Sequence, residues 1–413
     1  MTMQIVLPLL PTSSTIPPNN TTHLYKLSGS DFHPSLKTRL LILQPTPFCN
    51  IDCSYCYLPD RNSIARMNSE TVWLAAKRLV EDKLVGDTVT VVWHAGEPLA
   101  MPIAFYDEAI VSIREALGPA VQITHSIQTN ATLINDAWCR LFKKHDIRVG
   151  VSVDGPAQLH DNHRRTRLGR PTHHLVVRGM NLLKSHKIPF HAIAVVTAAT
   201  IADPDAFFDF FLQNEVEDVS CNIDETEGLH RASSLIGHEN SYASFLSRLL
   251  ERSLECNGQL HIRELDSMFR LISEGLPSYC WRDENWPDNV QVMPFALVTV
   301  GWNGDFCTFS PELLGQTSVD FHDFVLGNVN QETYLETSQS DRFLRLWGTI
   351  IEGVKSCRRY CKYYNYCGGG APANKLYENG TCFSTETLYC RSALQQPFEV
   401  VLRTLEQSRQ GNV

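Results

Sequence analysis

The chain has 413 residues, 43% of them hydrophobic and 20% charged, which gives room for two or three globular domains with ordinary cores. A net charge of −9 and a pI near 5.9 argue against nucleic acid or an anionic membrane surface as the main partner. No run reaches the ~18 consecutive apolar residues needed to cross a bilayer, so no membrane partner is expected either.

Residues 1–38 are rich in Pro, Thr, Ser and Asn and show no sustained periodicity, so they read as an N-terminal tail. Its apolar stretch Ile5–Leu10 is interrupted by Pro8 and lacks a basic flank, unlike a signal peptide. The 13 cysteines are odd in number and cluster at metal-like spacings, which suits a reducing compartment, the cytoplasm.

From Arg39 the pattern alternates apolar strands with amphipathic helices. Strands are predicted at Leu40–Leu43, Thr88–Trp93, Val121–Gln128, Arg148–Val153, Phe190–Val196 and Val219–Ile223. Helices fall between them at Ser69–Lys83, Ile103–Leu117, Asn135–Lys144, His174–His186 and Asp205–Gln213, with a longer one over residues 240–256. Repeated β-then-α order implies right-handed crossovers and a parallel sheet, here an α/β fold with a partial (β/α)6, TIM-like barrel over residues 39–256. Residues 257–413 have a different texture, rich in cysteine and poor in βα order, and form a second domain.

In a barrel of this kind the active residues lie on loops after the strands. The first such loop carries Cys49, Cys53 and Cys56 at C-x3-C-x2-C spacing, with Tyr55 and Tyr57 flanking the third cysteine. Three thiolates are one too few for a closed structural site. They suit a cubane iron–sulfur cluster with one open iron, or a zinc knuckle that borrows a remote fourth ligand. The second strand ends in Gly96-Glu97-Pro98, where a glycine permits close backbone approach and a carboxylate can bind an ammonium group. Ser126, Gln128 and Asn130 close the third strand and Ser152 and Asp154 the fourth; taken singly, these residues are also ordinary caps and turns. Beyond them stand Arg164, Arg165 and Arg167, a run that would ordinarily be a solvated face. The fifth strand ends at Val196. Near the C-terminus Cys357, Cys361, Cys367 and Cys390 supply four ligands, enough to close a cluster or a zinc ribbon.

The cysteine loop, Gly96-Glu97-Pro98 and the strand-end segments resemble those of the radical S-adenosylmethionine (radical SAM) enzymes. Ala95 stands where that family's motif has its first glycine. The resemblance implies a [4Fe–4S] cluster on Cys49, Cys53 and Cys56 whose open iron chelates SAM. It implies a SAM pocket formed by Tyr55, Gly96, Glu97, Ser126, Gln128, Asn130, Ser152 and Asp154. Arg164 would hold the SAM carboxylate, and Val196 would touch adenine.

The C-terminal cysteines resemble the SPASM extension of radical SAM peptide maturases, here a SPASM/twitch-like domain. That implies at least one auxiliary [4Fe–4S] cluster on Cys357, Cys361, Cys367 and Cys390. A full SPASM set has a further cysteine where Ala371 stands, and Cys280, Cys307 and Cys382 leave a second auxiliary cluster open.

Asn303–Leu313 and Cys367–Lys375 resemble the maturases that form cyclophanes on glycine-rich repeat peptides. Such an enzyme would take a ribosomal precursor peptide with its leader, and an electron donor such as a flavodoxin or ferredoxin. It would join an aromatic ring carbon to a nearby Cβ and need a base, Glu312 or Asp305. Thioether formation, sulfatase maturation and a non-catalytic metal-binding peptide scaffold are the competing readings.

Overall fold

The computed structural model describes residues 37–274, 289–318 and 320–409. The predicted tail up to residue 36 and Cys280 lie outside the described residues.

The chain begins with β1 (Leu40–Leu43), a short β2 (Ile51–Cys53), α1 (Ser69–Glu81), β3 (Thr88–Trp93), α2 (Ile103–Leu117), β4 (Gln122–Thr129) and α3 (Asp136–Lys144). It continues through β5 (Arg148–Ser152), α4 (Ala157–His163), β6 (Arg164–Thr166), α5 (His173–Ser185), β7 (Phe190–Val196), α6 (Pro204–Gln213), β8 (Asp218–Ile223) and α7 (Glu239–Glu255). Local chemistry sets the helix starts. The Asn68 side chain accepts from Thr71 N to cap α1, Asn135 accepts from the Ala137 and Trp138 amides to cap α3, and Asp203 with Pro204 opens α6.

β1, β3, β4, β5, β7 and β8 pair in parallel in that order, as six repeated βα units require. Their C-terminal ends therefore open on one side, and every candidate loop emerges there.

The sheet does not stop at residue 256. β9 (His261–Ile262) extends it beside β8 before α8 (Arg263–Glu274). β10 (Leu297–Val300) pairs in parallel with β1 on the opposite flank, and β11 (Asp305–Thr308) and β12 (Gly327–Asn328) follow antiparallel. Among the described residues the result is one ten-stranded open sheet with β12 and β9 at its edges. The cysteine-rich segment is joined to the barrel by this backbone pairing and by side chains. Tyr334 Oη donates to Ala75 O at 2.8 Å, and Arg78 Nε to Val329 O at 3.1 Å.

Core packing is continuous across both parts. Trp93, Tyr106, Trp138 and Phe142 meet beneath the first strands, while Phe309 stacks on Trp347 of α9 (Asp341–Tyr360) with ring centroids 5.6 Å apart. The short helices α10 (Tyr364–Cys367) and α11 (Pro372–Asn379) precede the terminal α12 (Gln396–Arg409). No helix among the described residues is long and apolar enough to cross a membrane.

Candidate active site

The cysteine loop is held by a ribbon that sequence periodicity gave no sign of. β2 pairs antiparallel with β6, setting Cys53 opposite Arg164. Alternation then divides the arginine run. Arg164 turns inward and is buried, Arg165 is exposed, and Arg167 reaches back to donate from Nε to Cys49 O at 2.8 Å.

Cys49, Cys53 and Cys56 line one cleft with Glu97, Gln128, Asn130, Ser152 and Arg164. Burial pushes the Cys49 and Cys53 thiols up to about 12. Bound iron would offset that cost, because ligation requires the thiolate. Asn130 Nδ2 lies 3.8 Å from Cys49 Sγ and donates to Asn50 Oδ1 at 2.8 Å, linking the third strand end to the loop.

Glu97 is the most tightly held group. Its carboxylate accepts from Thr129 Oγ1 (2.6 Å), Leu99 N (2.9 Å) and Asn130 N (2.8 Å). Burial still outweighs these bonds and pushes it up to about 7. Gly96 is required where it stands. At φ +56 an added Cβ would lie 2.5 Å from both Phe48 O and Thr46 O.

Gln128 Nε2 donates to Ser152 Oγ at 2.9 Å, so two expected pocket residues meet. Ser126 is on the same face two residues earlier and does not reach the cleft wall. Asp154 is buried and accepts from Arg164 Nε (2.9 Å) and Nη2 (3.0 Å), from the Tyr55 hydroxyl and from Val195 N (2.9 Å). Burial opposes its charge, but the Arg164 guanidinium wins and holds the Asp154 carboxyl below its usual range. Arg164 therefore spends a bidentate pair on Asp154, leaving Nη1 for a ligand. Tyr55 supports this pair through its side chain, beneath the guanidinium at 5.4 Å from the ring centroid.

Val196 is a correction. Strand alternation places Ile193 and Val195 on the cleft, while Val196 is fully buried in the core on the opposite face. The apolar side chains on the cleft from this strand are Ile193 and Val195.

On the far wall three carboxyl groups converge, Glu225 and Glu227 from the loop after β8, and Glu312. Asn374 Nδ2 donates to Glu225 at 2.6 Å and lies 3.5 Å from Glu227. Burial raises both glutamates, neighbouring carboxylates raise them further, and burial pushes Glu312 up to about 7. The buried Tyr57 hydroxyl on this wall has no hydrogen-bond partner among the described residues. Asp305 is elsewhere, on β11, where its carboxylate accepts from Asn303 Nδ2 (2.6 Å) and Asn328 Nδ2 (2.8 Å). Glu225 and Glu227 escaped the sequence reading. The signal was present, an acidic run directly after the sixth strand like the polar ends of the others.

The C-terminal thiols also assemble. Cys357 ends on α9, Cys361 caps it, Cys367 closes α10, and the charges of Cys390, Cys361 and Cys357 add to the burial that pushes Cys367 up to about 11. Cys382 and Cys307 are buried, with thiols directed at Pro372 O (3.6 Å) and Thr308 O (3.1 Å). Among the described residues no three His, Cys, Asp or Glu side chains converge closely enough for a single metal ion.

Residues 43–211 match the family described as the Radical SAM superfamily. An uncharacterized protein of Synechocystis sp. is 38% identical over 378 residues, covering 90% of this chain and 93% of that protein. The chain belongs to the radical SAM superfamily. A serine-type anaerobic sulfatase-maturating enzyme of Bacteroides thetaiotaomicron is 26% identical over 378 residues, 85% of this chain and 86% of that enzyme.

Among solved structures, native anSMEcpe with bound AdoMet and Kp18Cys peptide aligns with a TM-score of 0.72 at 22% identity, covering 91% of this chain and 99% of that one. Streptococcus suis SuiB bound to precursor peptide SuiA aligns at 0.61 and 16% identity, covering 86% and 76%. Both share the fold. A radical SAM enzyme takes a [4Fe–4S] cluster and SAM. The residues present fit them, with three thiols lining one cleft, a backbone cradle at Gly96 and an oriented carboxylate at Glu97.

Proposed function

We propose that this radical SAM enzyme modifies a ribosomally made precursor peptide, joining an aromatic ring carbon to the Cβ of a nearby residue as a cyclophane. The observation that carries the reading is the triad of carboxyls, Glu225, Glu227 and Glu312, facing the SAM residues across one cleft. Cys49, Cys53 and Cys56 would hold the SAM-binding cluster, and Cys357, Cys361, Cys367 and Cys390 an auxiliary one. When bound, the first cluster and SAM supply a 5′-deoxyadenosyl radical that takes a hydrogen atom from an unactivated carbon.

The remaining balance falls on the protein. A carbon radical that adds to an aromatic ring must lose one electron and one proton before the ring regains aromaticity. Two hydrogens leave the peptide in all, one as an atom and one as a proton plus an electron. Glu312 accepts the proton, because burial holds its affinity near neutrality and Glu225 and Glu227 can share the load. Glu97 binds the SAM amino group, and Nη1 of Arg164 the SAM carboxylate. A flavodoxin or ferredoxin in the cytoplasm supplies the reducing electron, and the leader peptide delivers the substrate.

Glu312→Gln tests the base. Deoxyadenosine formation should persist while cross-linked peptide falls at least about tenfold, the equivalent of ~1.4 kcal/mol in the barrier. Undiminished cross-linking removes Glu312 from the role. A sulfatase-type peptide substrate is the second reading, favoured by 26% identity along 85% of the chain to a serine-type sulfatase-maturating enzyme. Tandem mass spectrometry separates the two. Loss of two hydrogens with no fragmentation between an aromatic residue and its partner supports the cyclophane, whereas an oxidised residue in an open backbone supports the alternative.

A further inference from the structure

Lys375 is only 3% exposed, yet it stands in the first turn of α11. An interior ammonium is costly unless paired, and the positive end of a helix adds to that cost. Among the described residues no carboxylate lies within ion-pair distance of it. Its Nζ is instead 3.3 Å from Cys357 Sγ. Two glycines border the space it runs through. A Cβ on Gly353 would clash with the Cys382 carbonyl oxygen and stand 3.3 Å from Nζ, while one on Gly370 would make ordinary contact, 3.7 Å from Cε and 3.6 Å from Cys390 Sγ. Among the described residues the group placed to balance this ammonium is therefore the Cys357 sulfur, and a thiol acquires negative charge on ligating iron.

We propose that Lys375 is a positioning residue for the auxiliary cluster, a buried counter-charge that raises its reduction potential. The inference rests on the reading that Cys357, Cys361, Cys367 and Cys390 hold a [4Fe–4S] cluster. A cation beside a ligand sulfur stabilises the reduced, more negative form over the oxidised one, so the cluster takes an electron more readily. The preceding residue, Asn374, donates to Glu225 at 2.6 Å. One turn of α11 thus addresses both sites that re-aromatisation needs, the carboxyls that receive a proton and the cluster that receives an electron.

The test is an anaerobic redox titration of the full reconstituted chain, followed by electron paramagnetic resonance, in wild type, Lys375→Met and Lys375→Arg. The signal that SAM does not perturb reports the auxiliary cluster. Iron and sulfide are counted first, and about eight irons per wild-type chain establish that the cluster is present. About four would remove the cluster reading, and the inference with it, by a separate readout. In cluster-replete protein the methionine variant should titrate at a more negative midpoint and the arginine variant with wild type. Equal midpoints for methionine and wild type, or an arginine shift as large as that of methionine, overturn the inference. Should Lys375→Met lose the auxiliary iron, retention in Lys375→Arg sustains the charge requirement and loss in both overturns it.

Discussion

Ala95 adopts φ 70, in the left-handed region where the related motif has glycine, and Gly96 follows at φ 56. The two positions are not equivalent. Ala95 fits at a modest cost in backbone strain, whereas a side chain at Gly96 meets two carbonyl oxygens of the cysteine loop. Gly96→Ala is expected to displace that loop and lower deoxyadenosine formation by more than about tenfold, since ~1.4 kcal/mol suffices. Wild-type turnover in that variant would contradict the cradle.

Glu97 yields a pH prediction. Its folded pKa of about 7 exceeds its ordinary 4.5, so the folded chain binds the proton more tightly than the unfolded chain. Stability is therefore greatest below about 4.5 from this group, and declines as pH rises to about 7. Thermal scans of cluster-free protein should show that slope, and Glu97→Gln should flatten it.

At the scale of elements, the face parity of β7 decides which valine serves the cleft. Val195→Ala should weaken SAM binding with little change in Tm. Val196→Ala should cost about 2 kcal/mol of stability, from roughly two buried methylene equivalents and the cavity left behind, and spare SAM affinity. The reverse pattern in calorimetry and equilibrium dialysis would put Val196 back on the ligand.

The core helices and strands were legible in the sequence because helical periodicity and apolar strand runs alternate regularly along residues 39–256. The six core strands fall within one or two residues of their expected bounds, and α2 matches its expected bounds. The β2–β6 ribbon and β12 were not legible, because two or three residues carry no period. Their partners are distant in sequence, and pairing across such gaps leaves no local signal. The cysteines and Glu97 were legible as spacing. Glu225 and Glu227 follow the sixth core strand, but their partner Asn374 arrives from 149 and 147 residues away.

In the whole molecule, β10 pairing with β1 carries the cysteine-rich segment to the flank of the barrel that begins the SAM loop. From α11, Asn374 reaches Glu225 on the cleft and Lys375 reaches Cys357. The change of texture near residue 256 marks a change of chemistry within a continuous sheet. That arrangement suits a reaction that removes a hydrogen atom at one site and an electron at another.

The central claim is that both cysteine sets hold iron and that the first set cleaves SAM. Anaerobic reconstitution, with iron, sulfide and 5′-deoxyadenosine measured together in wild type and Cys56→Ala, tests it most directly. The account predicts about eight irons per wild-type chain and deoxyadenosine that disappears in the variant. Zinc in place of iron, with no SAM cleavage by the wild type, would contradict it.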